Sequence, residues 1–512
     1  FLKYDITNLA HHLRRNARVL VIGAGGGRDL LSALVFDQRE VVGVEINGDI
    51  LATANGRYGD FTGHLDDQAE HPRIKLVNDE ARSYIARQPD QSFDILQVSL
   101  IDTWAATAAG AFVLTENSLY TVEAWQLFLQ KLTERGLLSF SRWYFAERPA
   151  EAYRLTSLAS AALMASGIQN PRDHIALLKL EYGDNPQRTG PDGAVTLLVS
   201  KTPFTKTDFQ KLKEVASRMQ FGFVVTPEHA EDATFDQLAS GQDLAGFTRR
   251  FPINITPPTD NSPFFFNMLW LRDLFGSGAG TEAAMPHNLT AVQKLGTLIV
   301  VVFGLTVLCI LVPLLLTRRR VSLVGTAPLF LFFGGIGLGF LLIEISLMGR
   351  LILFLGHPTY GLAVVLFALL LSGGLGSYLT QQLRDDLVDG YAVRILVALL
   401  GLLLLLGLVI TGVTQACAAS TTPVRILIAT VLVFLLGLPM GTAFPLGMRM
   451  ARDRAAELTP WLWGINGATS VCASVLAAAI SLTLGFARAY WTGCAGSVLA
   501  LLATLWLRRR NA

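Results

Sequence analysis

The sequence predicts an α/β domain, a doubly wound and mostly parallel sheet, followed by an all-α polytopic membrane domain of about seven spans. Three observations predict this division. The first is composition: the 512 residues are 51% hydrophobic and only 16% charged, with a net charge of +2, whereas soluble chains carry about 25% charged residues. The second is placement: most acidic residues precede residue 275, and long uncharged apolar runs follow residue 294. The third is rhythm: over 17–145, short β-branched runs alternate with helical segments, the pattern of parallel crossovers. Such a composition excludes an all-soluble or disordered chain. The near-neutral charge offers no field for a polyanion, so nucleic acid is not an expected partner.

Buried strands are expected at Val19–Ile22, Val41–Ile46, Ile74–Val77, Phe93–Val98 and Gly136–Phe140, each bounded by Gly, Asp or Asn. Helices are expected at 28–36 and 121–135. The second is amphipathic through Val122, Trp125, Leu129 and Leu132, with Gly136 as its stop. Further on come a helix at Glu151–Ser166, a strand at Val195–Ser200, a helix at Thr207–Met219 and a strand at Phe221–Val225. The domain reading is a core at 1–150, the rest of the soluble domain at 151–274, a Gly/Ser-rich linker at 275–293 and a multi-pass domain at 294–512. The chain begins at Phe1 rather than Met, so an upstream segment is expected.

A span needs about 20 apolar residues to cross about 30 Å of hydrocarbon. Seven runs qualify: 295–317, 326–348, 359–380, 392–414, 424–447, 461–485 and 489–507. The fifth holds Gly437, Pro439, Gly441 and Pro445 and is expected to break or kink. The sixth is rich in small residues, among them Gly464, Gly467, Ala468 and Ser470, which suit close helix packing in lipid. An integral protein of a bacterial inner membrane is the expected localisation, with the lipid bilayer as a partner. Arg318, Arg319, Arg320, Arg384, Arg394, Arg449, Arg452, Arg454, Arg508, Arg509 and Arg510 share one side of a seven-span layout; Arg350, Arg425 and Arg488 share the other. The positive-inside rule makes the first side cytoplasmic and puts the soluble domain outside. Glu344, inside the second span, is either a functional acid or a packing group with a partner in the bundle. Cys309, Cys417, Cys472 and Cys494 all fall in the apolar half with no CxxC or Cys/His cluster, so no metal is expected.

The chemistry gathers at the carboxyl ends of the expected strands. Strand one runs straight into Gly23-Ala24-Gly25-Gly26-Gly27-Arg28-Asp29. Such a turn before a helix lets a ligand approach the backbone closely. Glu45 ends strand two, where an acid suits a grip on ribose hydroxyls or, alternatively, caps a helix. Strand three ends in Asn78-Asp79-Glu80 and strand four in Ser99-Leu100-Ile101-Asp102. Acids at three successive strand ends favour a nucleoside site.

The runs VLVIGAGGGRDLL, VVGVEIN, IKLVNDEARSYI and FDILQVSLIDTW resemble the class I S-adenosylmethionine (AdoMet) transferase fold. They are most similar to the spermidine synthase branch, in its membrane-spanning subgroup. PPTDNSPFFFN near 256–267, LIEISLMGRLILFLGHPTY and FPLGMR extend the likeness. The resemblance implies AdoMet or decarboxylated AdoMet as co-substrate. It implies that Gly23, Gly25 and Gly27 line the methionine and ribose portion, that Glu45 binds the ribose hydroxyls, and that Asp79, with Glu80 beside it, faces the adenine amino group. Ser99 would flank the donor and Asp102 would face the acceptor as catalytic base. Trp104, Phe112, Trp143 and Tyr144 either wall that pocket or belong to the core. The Asp260 run is either a lid or a turn before Pro263.

Two departures from the family matter. Gly26 and Ser99 stand where spermidine synthases carry acids, although Asp29, three residues after Gly26, partly substitutes for the first. An uncharged loop tolerates the carboxylate of ordinary AdoMet. The reading therefore leans towards methyl transfer to a small or lipid-proximal acceptor, an amine among the candidates. Aminopropyl transfer in polyamine synthesis remains open. So does a non-catalytic membrane sensor or transporter that binds a nucleoside or polyamine.

Overall fold

Among the described residues, eight strands form one sheet: β1 (Arg18–Ile22), β2 (Glu40–Glu45), β3 (Ile74–Asn78), β4 (Phe93–Ser99), β5 (Leu132–Tyr144), β6 (Ile175–Glu181), β7 (Gly193–Ser200) and β8 (Gly222–Val225). Their order is β3-β2-β1-β4-β5-β7-β6-β8. β1 to β5 pair in parallel, and β7 and β8 enter antiparallel. The doubly wound, mostly parallel arrangement is therefore present, closed by an antiparallel edge. The computed structural model describes residues 1–101, 116–183, 190–270, 273, 286–317, 325–384, 388–452 and 456–511.

Both sheet faces are covered, which is why the strands read as largely apolar runs. One face packs Leu20, Ile22, Val42, Val44, Leu96 and Val98 against Trp125 and Phe128. The other packs Val19, Val21, Val41 and Ile95 against Leu9, Leu13, Leu30 and Ala33. The short helices of the first half are α1 (Leu9–Leu13), α2 (Arg28–Val35), α3 (Gly48–Ala52), α4 (Gly59–Thr62) and α5 (Ala81–Arg87). Strand order reverses between β1 and β4, because β2 and β3 lie on one side of β1 and β4 and β5 on the other. In open α/β sheets ligands bind at such a reversal, outside the carboxyl ends of the strands.

One helix is shorter than its pattern. The helix Val122–Lys131 stops four residues before the expected end, and β5 begins at Leu132. Phe93 pairs with Leu132 and Ile95 with Leu137, so β5 carries extra residues at this point. Gly136 sits at that irregularity: a Cβ there would lie 2.8 Å from the Leu132 Cβ. Its glycine marks a bulge, not a helix stop. Lys131 anchors the junction, donating to the Gln88 carbonyl at 2.8 Å and to Asp90 at 2.7 Å.

The chain divides into two compact units, the first reaching Asp273 and the second running from Val292 onward. Helix is already present from Pro286, inside the range expected as linker. Among the described residues, seven helices are long and apolar enough to cross a membrane: Gln293–Leu316, Ala327–Leu355, Pro358–Gln382, Val388–Ala416, Thr422–Arg452, Ala456–Leu484 and Phe486–Arg509. The fifth does not break: it stays helical through Pro439 and Pro445. Neighbouring helices in a bundle compensate such prolines, and glycines bring those neighbours close. A Cβ on Gly441 would lie 2.2 Å from the Gly373 carbonyl oxygen, and one on Gly376 would lie 2.1 Å from that of Leu438.

Two arginines counted as loop charges act as helix-end clamps. Arg449 donates to the Thr380 and Leu383 carbonyls, each at 2.6 Å, where the third span ends. Arg425, fully buried, donates to the Phe354 carbonyl at 2.9 Å, at the end of the second span. Terminal carbonyls lack intrahelical donors, so a guanidinium there satisfies real acceptors. Glu344 is buried in the second span and has no hydrogen-bond partner among the described residues.

Candidate functional site

The glycine turn follows β1 directly and is stitched to β2. The Gly23 and Ala24 amides donate to the Val44 carbonyl at 2.8 and 3.3 Å. Gly27, the residue before α2, has φ +87°, and a Cβ on it would fall 2.0 Å from Leu65 Cδ1. Only glycine fits that position. Gly23 and Gly25 also have positive φ, and Gly26 faces open space, with nothing within 4 Å of where its Cβ would be.

Glu45 is placed beside this turn. Its carboxylate accepts from the Gly25 amide at 3.0 Å and from the Asn47 amide at 3.1 Å, and the residue is buried. A carboxylate has about four acceptor directions, so two backbone donors fix its orientation and leave capacity for ligand hydroxyls. The end of β3 is tied to the same place: Asn78 Nδ2 donates to the Glu45 carbonyl at 2.9 Å, and the Asp79 amide donates to it at 3.1 Å.

The next two acids are already engaged. Asp79 forms an ion pair with Arg87, the last residue of α5, and accepts from the Glu80 amide at 2.8 Å. An adenine amino group would share Asp79 with that guanidinium. Glu80 caps α5, accepting from the Arg82 and Ser83 amides at 2.9 and 2.8 Å and from the Ser83 hydroxyl at 2.6 Å. Its geometry is that of an N-cap.

Ser99 closes β4 and accepts from Gln97 Nε2 at 3.1 Å. Asp29 lies in the first turn of α2. Asp29 thus follows β1 and Ser99 ends β4, the two strands between which the sheet order reverses. Asp29 is buried, and that burial pushes its carboxyl above the usual range. Asp102, Trp104 and Phe112 lie outside the described residues. Tyr144 is core, 3% exposed.

The Asp260 run folds back onto the sheet's helices. Arg82 grips Asp260 with two bonds of 2.7 and 2.5 Å, Thr121 donates to it at 2.7 Å, and the Asp260 amide donates to Glu123 at 2.9 Å. Behind it, the buried Arg154 guanidinium donates to the carbonyls of Thr256, Phe265 and Asn267. Burial pulls that guanidinium down to about 9. Arg82 and Arg154 carry no local signature: Asp260 lies 178 residues from Arg82 and the Phe265 carbonyl 111 from Arg154 in the chain.

No protein-family model matches the chain, and no curated protein matches it. Solved structures do match. A spermidine synthase from Thermotoga maritima is 20% identical, with a TM-score of 0.30 over 40% of this chain and 60% of that one. A probable spermidine synthase from Corynebacterium glutamicum is 16% identical, with a TM-score of 0.32 over 47% of this chain and 77% of that one. A putative sarcosine dimethylglycine methyltransferase from Galdieria sulphuraria is 14% identical, with a TM-score of 0.24 over 38% and 82%. The match thus spans about three fifths of the length of the first of these.

Proposed function

We propose that the α/β unit is a transferase that uses AdoMet or its decarboxylated derivative, tethered to a bacterial inner membrane by the helices that follow, and that it transfers a methyl group. The observation that carries the reading is Glu45, held by the Gly25 and Asn47 amides beside a glycine turn at the carboxyl end of a parallel sheet. This arrangement suits a ribose, with the glycine backbone open to the rest of the donor. Methyl transfer is favoured because Gly26 presents open space and no charge, so a donor carboxylate meets no repulsion there. A sulfonium carbon is already electrophilic, so alignment of donor and acceptor is the protein's main contribution. The acceptor would be a small or lipid-proximal amine or hydroxyl, with Asp102 as its base.

Aminopropyl transfer is supported by one observation, the buried Asp29 carboxylate in the first turn after the glycine loop, which could pair with the ammonium of decarboxylated AdoMet. Calorimetry with both donors separates the two reactions. Tighter binding of AdoMet is expected. Equal, millimolar-weak binding of both would remove the transferase reading and leave a non-catalytic anchor.

A further inference from the structure

Five of the apolar helices line a cavity of about 330 Å³ that none of the roles above uses. They are the second, fourth, fifth, sixth and seventh spans, each contributing residues well inside its length. The walls are mostly apolar, with Phe340, Leu396, Leu399, Met440 and Phe444 among them. Phe444 is steadied by edge-on contacts with Phe333 and Trp463, at ring-centroid distances of 5.5 and 5.2 Å. It therefore offers a fixed aromatic surface.

The polar part of the lining comes from the sixth and seventh spans. Asn466 donates to the Phe333 carbonyl at 3.1 Å and Ser470 to the Gly337 carbonyl at 3.2 Å, which ties the sixth span to the second. The Asn466 amide oxygen is left without a partner among the described residues. Ser497, only 6% exposed, makes no hydrogen bond among the described residues. Hydroxyls in helices usually bond back to their own turn, as Ser346 and Ser372 do here. Ser497 does not; its Oγ stands 3.3 Å from where a Cβ on Gly339 would lie. A hydroxyl kept at this depth without a partner is costly unless a ligand supplies one. Water would satisfy it but would also wet the apolar walls. No charged residue lines the cavity among the described residues, so an ion is a poor occupant.

We propose that this cavity binds an uncharged, lipid-soluble ring compound bearing a hydroxyl group. Its rings lie against Phe340 and Phe444, and its hydroxyl meets Ser497 and the Asn466 amide oxygen. An apolar cavity of about 150 Å³ takes one benzene ring, so this one accommodates two fused rings. Apolar walls with a few placed polar groups are the usual make-up of small-molecule sites. The site stands independently of any transferase activity in the α/β unit.

Equilibrium dialysis of the full chain in detergent tests this, with radiolabelled 2-naphthol or naphthalene and excess unlabelled compound to subtract uptake by the micelle. A single saturable site is expected, with 2-naphthol held about three- to tenfold more tightly than naphthalene, the gain from one net hydrogen bond. Ser497→Ala should remove most of that preference and leave naphthalene binding near wild type. Ala443→Leu, which adds bulk to the fifth-span wall, should abolish saturable uptake of both compounds. If Ala443→Leu fails to fold, judged by elution volume and thermal midpoint, the Ser497→Ala comparison decides alone. Absence of saturable binding, equal binding of the two compounds, or a preference unchanged in Ser497→Ala overturns the proposal. So does saturable uptake that survives in folded Ala443→Leu.

Discussion

Glu45 shows how a single carboxylate acquires a task. Its two backbone donors align it with the glycine turn, and a ribose would add hydroxyl donors. Charge-assisted hydrogen bonds contribute about 1.5–3 kcal/mol, so Glu45→Ala should weaken donor binding at least about tenfold by calorimetry, with Glu45→Gln intermediate. His11 carries a pH signature. Its value in the fold, about 4, lies below the 6.5 of the free side chain, so the unfolded chain binds more protons between these limits. Stability should therefore fall as pH drops from 6.5 towards 4, by at most about 3 kcal/mol from this residue. The neighbouring His12 is lowered in the same way. Thermal midpoints against pH should run flatter over that window in His11→Gln than in wild type. Parallel curves would show that burial leaves His11 free to charge.

At the scale of elements, strands such as Val19–Ile22 were legible because they are apolar on both faces. The ends of elements were less so. Gly136 reads as a helix stop by local rules, but pairing between β4 and β5 claimed Leu132 for the sheet. Pro439 and Pro445 read as breakers, yet the helix Thr422–Arg452 runs on within the bundle. Close glycine contacts make a sharper test of that packing. Gly376→Val would drive a side chain into the Leu438 carbonyl, whereas Gly374 has nothing within 4 Å of its Cβ position. In detergent, Gly376→Val should lower the thermal midpoint by several degrees and Gly374→Val should leave it near wild type. Equal effects would argue that the contact yields.

At the scale of the whole molecule, the loop arginines and the proposed chemistry point to opposite sides of a membrane. The charge count puts the α/β unit outside, whereas AdoMet is made inside cells. The clamps leave the count as it was: Arg449 and Arg425 serve carbonyls at helix ends, but they stand on opposite sides of the layout, so the disagreement has to be settled by measuring the side directly. The proposed transferase therefore expects Asp60→Cys, at an exposed position, to escape an impermeant thiol reagent in intact cells and to react once the membrane is opened. Labelling in intact cells would count against use of AdoMet.

Sequence alone determined the two-part architecture, the number of long apolar helices and the glycine turn followed by acids at strand ends. All of these are written in short-range pattern, through apolar period, length and turn chemistry. Tertiary structure decided which acids are free to act. Asp79 and Glu80 look alike beside each other in the chain, yet one is paired with Arg87 and the other caps α5. Glu45 is oriented by the Gly25 amide twenty residues before it, and Asp260 is held by Arg82 across 178 residues. A carboxylate's role depends on which donors reach it, and folding chooses those donors across distances that local sequence does not encode.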